Sequence, residues 1–204
     1  MVLVEGESDR QAVLAVAEAS GRDLAAEGIE VVAMGGITNT RTFAQRYGPQ
    51  GQGLHLAGLY DAADEAKCRN GLLAAGVRVP DGAGGLAAIG FHGCSADLED
   101  ELIRALGADA APAVIEKAGD LRSLQRLAAM PAQRGWTREA VLRRFFGAGA
   151  GRKARCARLL AAALAPEQIP APLAAVLAET RNDQGGSAEP PSPAQPASAA
   201  FRAR

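Results

Sequence analysis

Short apolar runs alternate with helix-forming stretches along the first half of the chain, and each run has the length of a buried strand. The runs are residues 2–4, 29–34, 55–60 and 86–91. Helices are predicted after them, over residues 8–20, 38–47, 64–75 and 97–106. Strands that alternate with helices pair in parallel through right-handed crossovers. The pattern therefore predicts an α/β fold, with a mostly parallel sheet covered by helices on both faces.

The first predicted helix has a start signal of its own, because Ser8 and Gln11 have the spacing of a capping box. The second half of the chain carries helical patterns only, at residues 121–130, 137–146, 152–165 and 173–180. Beyond Asn182 the composition shifts to Gly, Ser, Pro, Ala and Gln, which bury too little apolar area to offset the entropy of ordering. We predict an α/β domain at 1–112, a basic helical extension packed on it at 113–181, and a disordered tail at 182–204.

Charge is segregated between these parts. Residues 1–116 hold 17 acidic and 8 basic side chains, a net charge of −9, whereas residues 117–158 hold 2 acidic and 11 basic ones, a net charge of +9. An acidic cluster can collect divalent cations, and a basic segment can hold the phosphates of a polyanion. A solvated basic helix face produces the same pattern, so charge alone leaves both interpretations open.

The rarer residue types exclude several classes of function. Aromatic residues make up only 4% of the chain, which argues against recognition of bases by stacking, and we expect Trp136, Phe145 and Phe146 in the core. The three cysteines are far apart and form no Cys-x-x-Cys pair, which indicates a reducing, cytoplasmic setting. No apolar run approaches the ~18 residues of a membrane span, and no signal peptide is recognisable, so we expect no membrane association.

Carboxylates follow three of the four predicted strands. Glu5 ends the first strand, Asp9 lies in the first turn of the next helix, Asp61 ends the third strand, and Asp97 and Glu99 follow the fourth. Because the carboxyl ends of parallel strands share one edge, these side chains are expected to converge there, at an electrostatic cost unless cations bind. Ligands that are all oxygen favour Mg²⁺ or Mn²⁺ over zinc.

Each acid also has a structural interpretation. Asp9 and Asp97 fit the ordinary role of a carboxylate that stabilises the start of a helix. Other first-turn acids, among them Asp64 and Asp100, are interpreted as solvated charges rather than ligands.

The segments Val-Glu-Gly-Glu-Ser-Asp and Leu-Tyr-Asp-Ala-Ala-Asp, at residues 4–9 and 59–64, resemble the TOPRIM fold of topoisomerases, primases and related nucleases. The chain looks most like the OLD (overcoming lysogenization defect) nucleases, through residues 58–65, 95–101 and the Gly-Arg-Lys at 151–153. This resemblance extends over roughly residues 1–180. It implies a TOPRIM-like catalytic domain and a divalent-metal-dependent endonuclease that nicks or cleaves DNA phosphodiester bonds.

The resemblance also implies roles for individual residues. Those it places on Mg²⁺ or Mn²⁺ are Glu5, Asp9, Asp61, Asp97 and Glu99. Glu5 and Lys153 would be catalytic: one ion lowers the pKa of the attacking water, another stabilises the leaving oxygen, and the lysine neutralises charge at the phosphate. TOPRIM domains commonly have Asp-x-Asp after the third strand, but here Asp61 is followed by Asp64, so Asp64 is not predicted as a ligand.

Basic side chains of the helical extension are candidates for binding the DNA backbone without base readout. They are Arg143, Arg144, Arg152, Lys153 and Arg155. OLD nucleases resemble fusions in which an ABC-type ATPase precedes the nuclease domain. The chain has no phosphate loop, because Arg152 replaces the second glycine of that motif and Ala154 its hydroxyl residue. We therefore expect no ATP hydrolysis by this chain. Two explanations stay open: a separate ABC-type ATPase subunit, or a chain that is the remaining nuclease portion of a longer ancestor. The sequence also leaves a homo-oligomer open.

Two other functions are compatible with the sequence. One is a non-catalytic TOPRIM module that binds DNA or a separate ATPase subunit. The other is a Mg²⁺-dependent phosphohydrolase that acts on small substrates. The basic segment favours a polymeric anion over a small one, but it does not separate binding from cleavage.

Overall fold

The computed structural model describes residues 1–147 and 150–182 of the chain. The predicted tail lies outside these residues from position 183 onward. Within them, four parallel strands form one sheet in the order β2-β1-β3-β4. The strands are β1 (Val2–Val4), β2 (Val31–Ala33), β3 (Ala57–Asp61) and β4 (Phe91–Cys94).

Helices cover both faces of this sheet, which confirms the predicted α/β fold. The described residues form nine α-helices: α1 (Glu7–Ala19), α2 (Thr40–Tyr47), α3 (Glu65–Ala74), α4 (Leu98–Leu106), α5 (Ala111–Lys117), α6 (Leu121–Ala128), α7 (Arg138–Phe146), α8 (Ala150–Ala162) and α9 (Ala171–Asn182). In the described part of the chain, none of these helices is both long and apolar enough to cross a bilayer.

The alternation of side chains along β1 divides the core between the two faces of the sheet. Leu3 points to one face, where it packs in a buried cluster with residues of α2 and α3, among them Ala44 and Leu72. Val2 and Val4 point to the other face, where the buried cluster contains residues of α1 and of α4 to α9. Most of the second half of the chain is thus packed against a single face of the sheet.

Two local predictions were wrong at their boundaries. The fourth apolar run folds as a 3₁₀ turn over Ala87–Ile89, and Gly90, with a φ of 82°, redirects the chain so that β4 begins only at Phe91. The first helix is capped at Gly6 rather than at Ser8, because the Asp9 carboxylate accepts the Gly6 N–H at 2.8 Å. Both differences arise from turns at glycines, which an apolar pattern does not register.

Helix α8 ties the basic half of the chain to the sheet. Its Leu160 is fully buried in the cluster that contains Val2 and Val4. On the rim of this contact, the Arg158 guanidinium pairs with Glu18 of α1 at 2.6 Å. The predicted domain boundary between residues 112 and 113 stays a prediction, and these residues lie within α5.

We expect Leu160→Ala to destabilise the whole fold, because the substitution opens a cavity in a core that α8 shares with the sheet. The expected cost is about 2–5 kcal/mol in the free energy of unfolding, measured by urea denaturation. Leu73→Ala is the matched control, since Leu73 is 49% exposed on α3. An unfolding curve in which α8 melts separately while the sheet keeps its stability would contradict a shared core.

Candidate metal centre at the carboxyl edge of the sheet

The carboxyl ends of β1, β3 and β4 lie side by side and bring their acidic residues to one edge. Leu3 of β1 pairs with Gly58 of β3, and Asp61 at the end of β3 pairs with Cys94 at the end of β4. Glu5 follows β1 directly. Its carbonyl oxygen accepts hydrogen bonds from the N–H groups of Gly35 and Gly36, both at 3.0 Å, so the loop after β2 fixes the backbone at this position.

Asp9 and Asp97 enter the same edge from the starts of helices. Asp9 is in the first turn of α1, where the Gly6 N–H donates to its Oδ2. Asp97 caps α4, and its Oδ1 accepts the N–H of Asp100 at 2.8 Å. The helix-start role predicted as an alternative is therefore present for both residues. Each bond leaves carboxylate lone pairs for a further partner, since an ionised carboxylate accepts about four.

The charges of these acids act on one another. The pKa of Asp61 rises to about 7, first because the carboxyl is partly buried and then because Glu5, Asp9, Asp97 and Glu99 add negative charge nearby. Burial likewise raises the pKa of Asp9 to about 6, and the charge of Glu99 adds to this effect. The structure therefore gathers into one electrostatic cluster the five acids that the sequence singled out.

Lys153 of α8 reaches into this acidic cluster from the basic half of the chain. Its Nζ lies 3.2 Å from Oε1 of Glu99, a carboxylate that is almost completely buried. Burial alone would lower the pKa of Lys153, but the negative charges of Glu99, Asp9 and Asp97 together hold it above its ordinary value. The ammonium group is therefore charged at neutral pH and offsets part of the repulsion between the acids.

The donors at this edge fit a hard divalent cation. All five acids offer oxygen only, and Oε2 of Glu5 is buried without a hydrogen-bond donor in the described residues. Within those residues, no three His, Cys, Asp or Glu side chains are already at metal-binding spacing. Asp64, which was not predicted as a ligand, pairs with Lys67.

The candidate DNA-binding residues lie on α7 and α8, and several of them already have acidic partners. Arg143 pairs with Asp100 and Arg155 with Asp120. The guanidinium of Arg152 stacks on the Phe145 ring, 4.8 Å from its centroid. Arg144, also on α7, is exposed. These arginines therefore support the architecture of the helices as well as offering charge to a ligand.

Asp100 is a structurally important residue that the sequence analysis took for a solvated charge. It is only 5% exposed, and it accepts from Arg104 of α4 at 2.9 Å while pairing with Arg143 of α7. The pair with Arg104 has helical i,i+4 spacing and was visible in the sequence. The pair with Arg143 spans 43 residues, and no local pattern could reveal it.

Comparison with known proteins agrees with this architecture. Residues 1–61 match the family model for the TOPRIM domain of overcoming lysogenization defect protein-like proteins. No curated protein matches the sequence. The C-terminal region of the Xanthomonas campestris pv. campestris OLD protein is similar, with a TM-score of 0.67 and 26% identity over 90% of this chain and 95% of that one.

The C-terminal region of the Burkholderia pseudomallei OLD protein is also similar. Its TM-score is 0.64, with 26% identity over 89% of this chain and 96% of that one. The match to the family model extends from β1 to β3 and includes Glu5, Asp9 of α1 and Asp61. The structural likeness takes in the helices of the second half as well. The resemblance expected from the sequence is confirmed: residues 1–61 match the OLD-like TOPRIM domain, and the chain has the fold of the C-terminal region of OLD proteins.

Proposed function

We propose that this protein is a divalent-metal-dependent DNA endonuclease that nicks or cleaves phosphodiester bonds. The observation that carries the proposal is the electrostatic cluster of five acids from three strand ends, with a charged lysine reaching into it from a basic helix. Such a cluster is costly without a cation, and its oxygen donors suit Mg²⁺ or Mn²⁺. The OLD-like TOPRIM match supports a module of the nuclease type.

Each side chain of the cluster has a distinct task in this proposal. Glu5 and Asp61 end neighbouring strands and would hold the cation together, with Asp9, Asp97 and Glu99 completing the set. A bound divalent cation polarises the phosphate and lowers the pKa of water. Lys153 would donate from Nζ to a phosphate oxygen and offset the charge that develops there in the transition state. Its pair with Glu99 keeps the flexible side chain directed toward the acids before DNA arrives.

The helices α7 and α8 would hold the DNA backbone beside this cluster. Arg144 is exposed, and the side chains of Arg143 and Arg155 are 50% and 53% exposed although each pairs with one acid. A guanidinium carries five N–H donors, so one carboxylate partner leaves others for a phosphate. Together with Arg152 and Lys153, these residues form a basic surface suited to a polymeric anion, which makes a phosphohydrolase for small substrates the weaker proposal.

One observation favours the non-catalytic alternative. Lys153 and Glu99 neutralise each other in the present arrangement, and a module that only binds DNA or an ATPase subunit would be expected to keep that pair. From the family resemblance we also propose a separate ABC-type ATPase as a partner. All three cysteines are buried and free, which supports a reducing, cytoplasmic setting.

Protons and the cation compete for the same cluster. The ordinary pKa of Asp61 is 3.8 and its pKa in the folded protein is about 7, so the folded state binds this proton more tightly than the unfolded state. Without metal, the stability due to Asp61 is therefore fully present below about pH 4 and is lost as the pH rises toward 7. A cation that binds the ionised carboxylates would restore stability above that range.

We expect Asp61→Asn to raise the melting temperature of the protein in EDTA at pH 8, because the substitution removes a repelled charge. The difference from wild type should shrink as the pH is lowered to 4, where the wild-type carboxyl is protonated. Added Mg²⁺ at pH 8 should stabilise the wild type more than the variant. Thermal unfolding at constant ionic strength measures the melting temperatures at pH 8, at pH 4 and with added Mg²⁺. A difference in melting temperature between wild type and variant that is independent of pH would contradict the assigned electrostatics.

We expect Glu5→Ala, Asp61→Ala and Lys153→Ala each to lower Mg²⁺-dependent nicking of supercoiled DNA by about 100-fold or more. Glu7→Ala is the matched control. Glu7 lies two residues from Glu5, but its exposed carboxylate pairs with Arg10 at 3.1 Å, so the nicking rate should stay at the wild-type level.

Wild-type nicking by Glu5→Ala would rule out the proposed site. Binding of supercoiled and linear DNA without any cleavage, in Mg²⁺ or Mn²⁺ and with an ABC-type ATPase present, would support the non-catalytic module instead.

A further inference from the structure

A groove of about 640 Å³ opens between helices α5, α6 and α7, on the basic half of the chain. Its walls are mostly apolar and include Leu121 and Leu124 of α6 and Leu142 of α7. Trp136 lies at the groove with 44% of its surface exposed, so the expectation that this residue belongs to the core was wrong. An exposed indole beside an apolar groove is a surface for another flat, partly apolar group.

A tight turn places this indole next to a buried carboxamide. Residues Pro131–Gln133 form a 3₁₀ turn, and Gly135 has a φ of 81°. The backbone N–H of Trp136 donates to the backbone carbonyl of Gln133 at 3.0 Å. The chain thereby folds back so that both side chains line the same groove. Only glycine adopts the Gly135 conformation without strain, so the position of Trp136 depends on the turn.

Gln133 is buried, with only 9% of its surface exposed, and its Oε1 has no hydrogen-bond donor in the part of the chain that the structure describes. A buried amide oxygen without a donor carries a desolvation penalty, and such groups are rare in native proteins. Rotation about the last side-chain torsion exchanges Oε1 with Nε2, so this position can hold either an acceptor or a donor.

Positive charge adjoins the groove on α6. Gln125 lines both the groove and a neighbouring hollow that is formed with Arg122 and Arg126. Among the described residues, neither arginine has an ion pair with an acid, and the recorded side-chain contact of Arg126 is with the Ser123 hydroxyl at 3.3 Å. At the groove itself, Arg138 is neutralised by Asp109. The positive charges of Arg122 and Arg126 therefore lie beside the groove. A base held in the groove would have its neighbouring phosphates on that side.

We propose that this groove binds one unstacked nucleobase of a DNA strand, contrary to the expectation from composition that bases are not recognised by stacking. The proposal rests on the DNA binding in the proposed function. The base stacks on Trp136, the Gln133 carboxamide bonds to its edge, and Arg122 and Arg126 hold the adjoining phosphates. Adenine fits best, because its N6 donor and N7 acceptor match a carboxamide.

Helix α7 connects the groove to α4, the helix that carries Glu99. Helix α7 begins beside the groove with Arg138, and Arg143, five residues later, pairs with Asp100 in the first turn of α4. At 1.5 Å per residue this part of α7 spans about 8 Å. A base held in the groove thus favours DNA that has unpaired nucleotides near the site of cleavage.

The chain has a single tryptophan, so its fluorescence reports directly on the groove. Full-length protein in EDTA is titrated with an oligodeoxyadenylate, with an abasic strand of the same length, and with free dAMP. The proposal predicts quenching by the oligodeoxyadenylate, little quenching by the abasic strand at equal saturation, and weaker binding of dAMP, which lacks the neighbouring phosphates. Equal quenching by the two strands, or none by either, would overturn it.

Variants separate this groove from the acidic cluster. With a fluorescein-labelled oligodeoxyadenylate, Trp136→Ala should weaken binding by about 5- to 150-fold, the range for one lost base stack, and Trp136→Phe by less. Gln133→Leu should remove the preference for adenine over thymine strands. Leu73→Ala, an exposed apolar change on α3, should leave binding and the base preference unchanged.

Normal binding by Trp136→Ala would overturn the groove proposal even if the wild type cuts DNA. A base-dependent signal from a wild type that never cuts would overturn only the proposed cleavage.

Discussion

Repulsion among the carboxylates at the carboxyl edge of the sheet is the constraint on which the rest of the structure depends. Parallel pairing of β1, β3 and β4 brings the acids that follow these strands to one edge, and helix starts add Asp9 and Asp97. The pKa of Asp61 is raised to about 7, first because the carboxyl is partly buried and then because of the charges of the other four acids. A fold that accepts this arrangement needs positive charge nearby, either from its own chain or from a bound cation.

The helical second half supplies part of that charge and is fixed in place by the same core. Leu160 of α8 is buried with Val2 and Val4 of the central strand, so the helix that carries Lys153 cannot move independently of β1. Asp100 fastens α7 to α4 through Arg143. The opposite charges of the two halves thus form a structural contact, and the arginines and lysine that make this contact are the same residues that we propose bind DNA. This arrangement explains why several candidate DNA-binding residues already have acidic partners.

Sequence patterns predicted the features that are decided locally. A short apolar run that ends in Glu5 becomes a strand end, and Asp97 before an amphipathic stretch becomes a helix cap, because both outcomes depend on a few neighbouring residues. The prediction of a strand at Ala87–Ile89 was wrong because a buried turn and a buried strand share the same apolar composition. The prediction that Trp136 lies in the core was wrong because the exposure of this side chain depends on the Gly135 turn. The Asp100–Arg143 pair could not be predicted because its partners meet only in the tertiary fold.

The central claim is that the acidic edge is a site for a divalent cation, and the position of a bound Mn²⁺ tests it most directly. Crystals of the full-length protein grown with Mn²⁺ can be measured at the manganese absorption edge, where the ion gives an anomalous signal of its own. The account predicts an anomalous peak within about 2.2 Å of a carboxylate oxygen of both Glu5 and Asp61. A peak at any other group of residues, with this edge empty at a Mn²⁺ concentration that supports DNA cleavage, would contradict it.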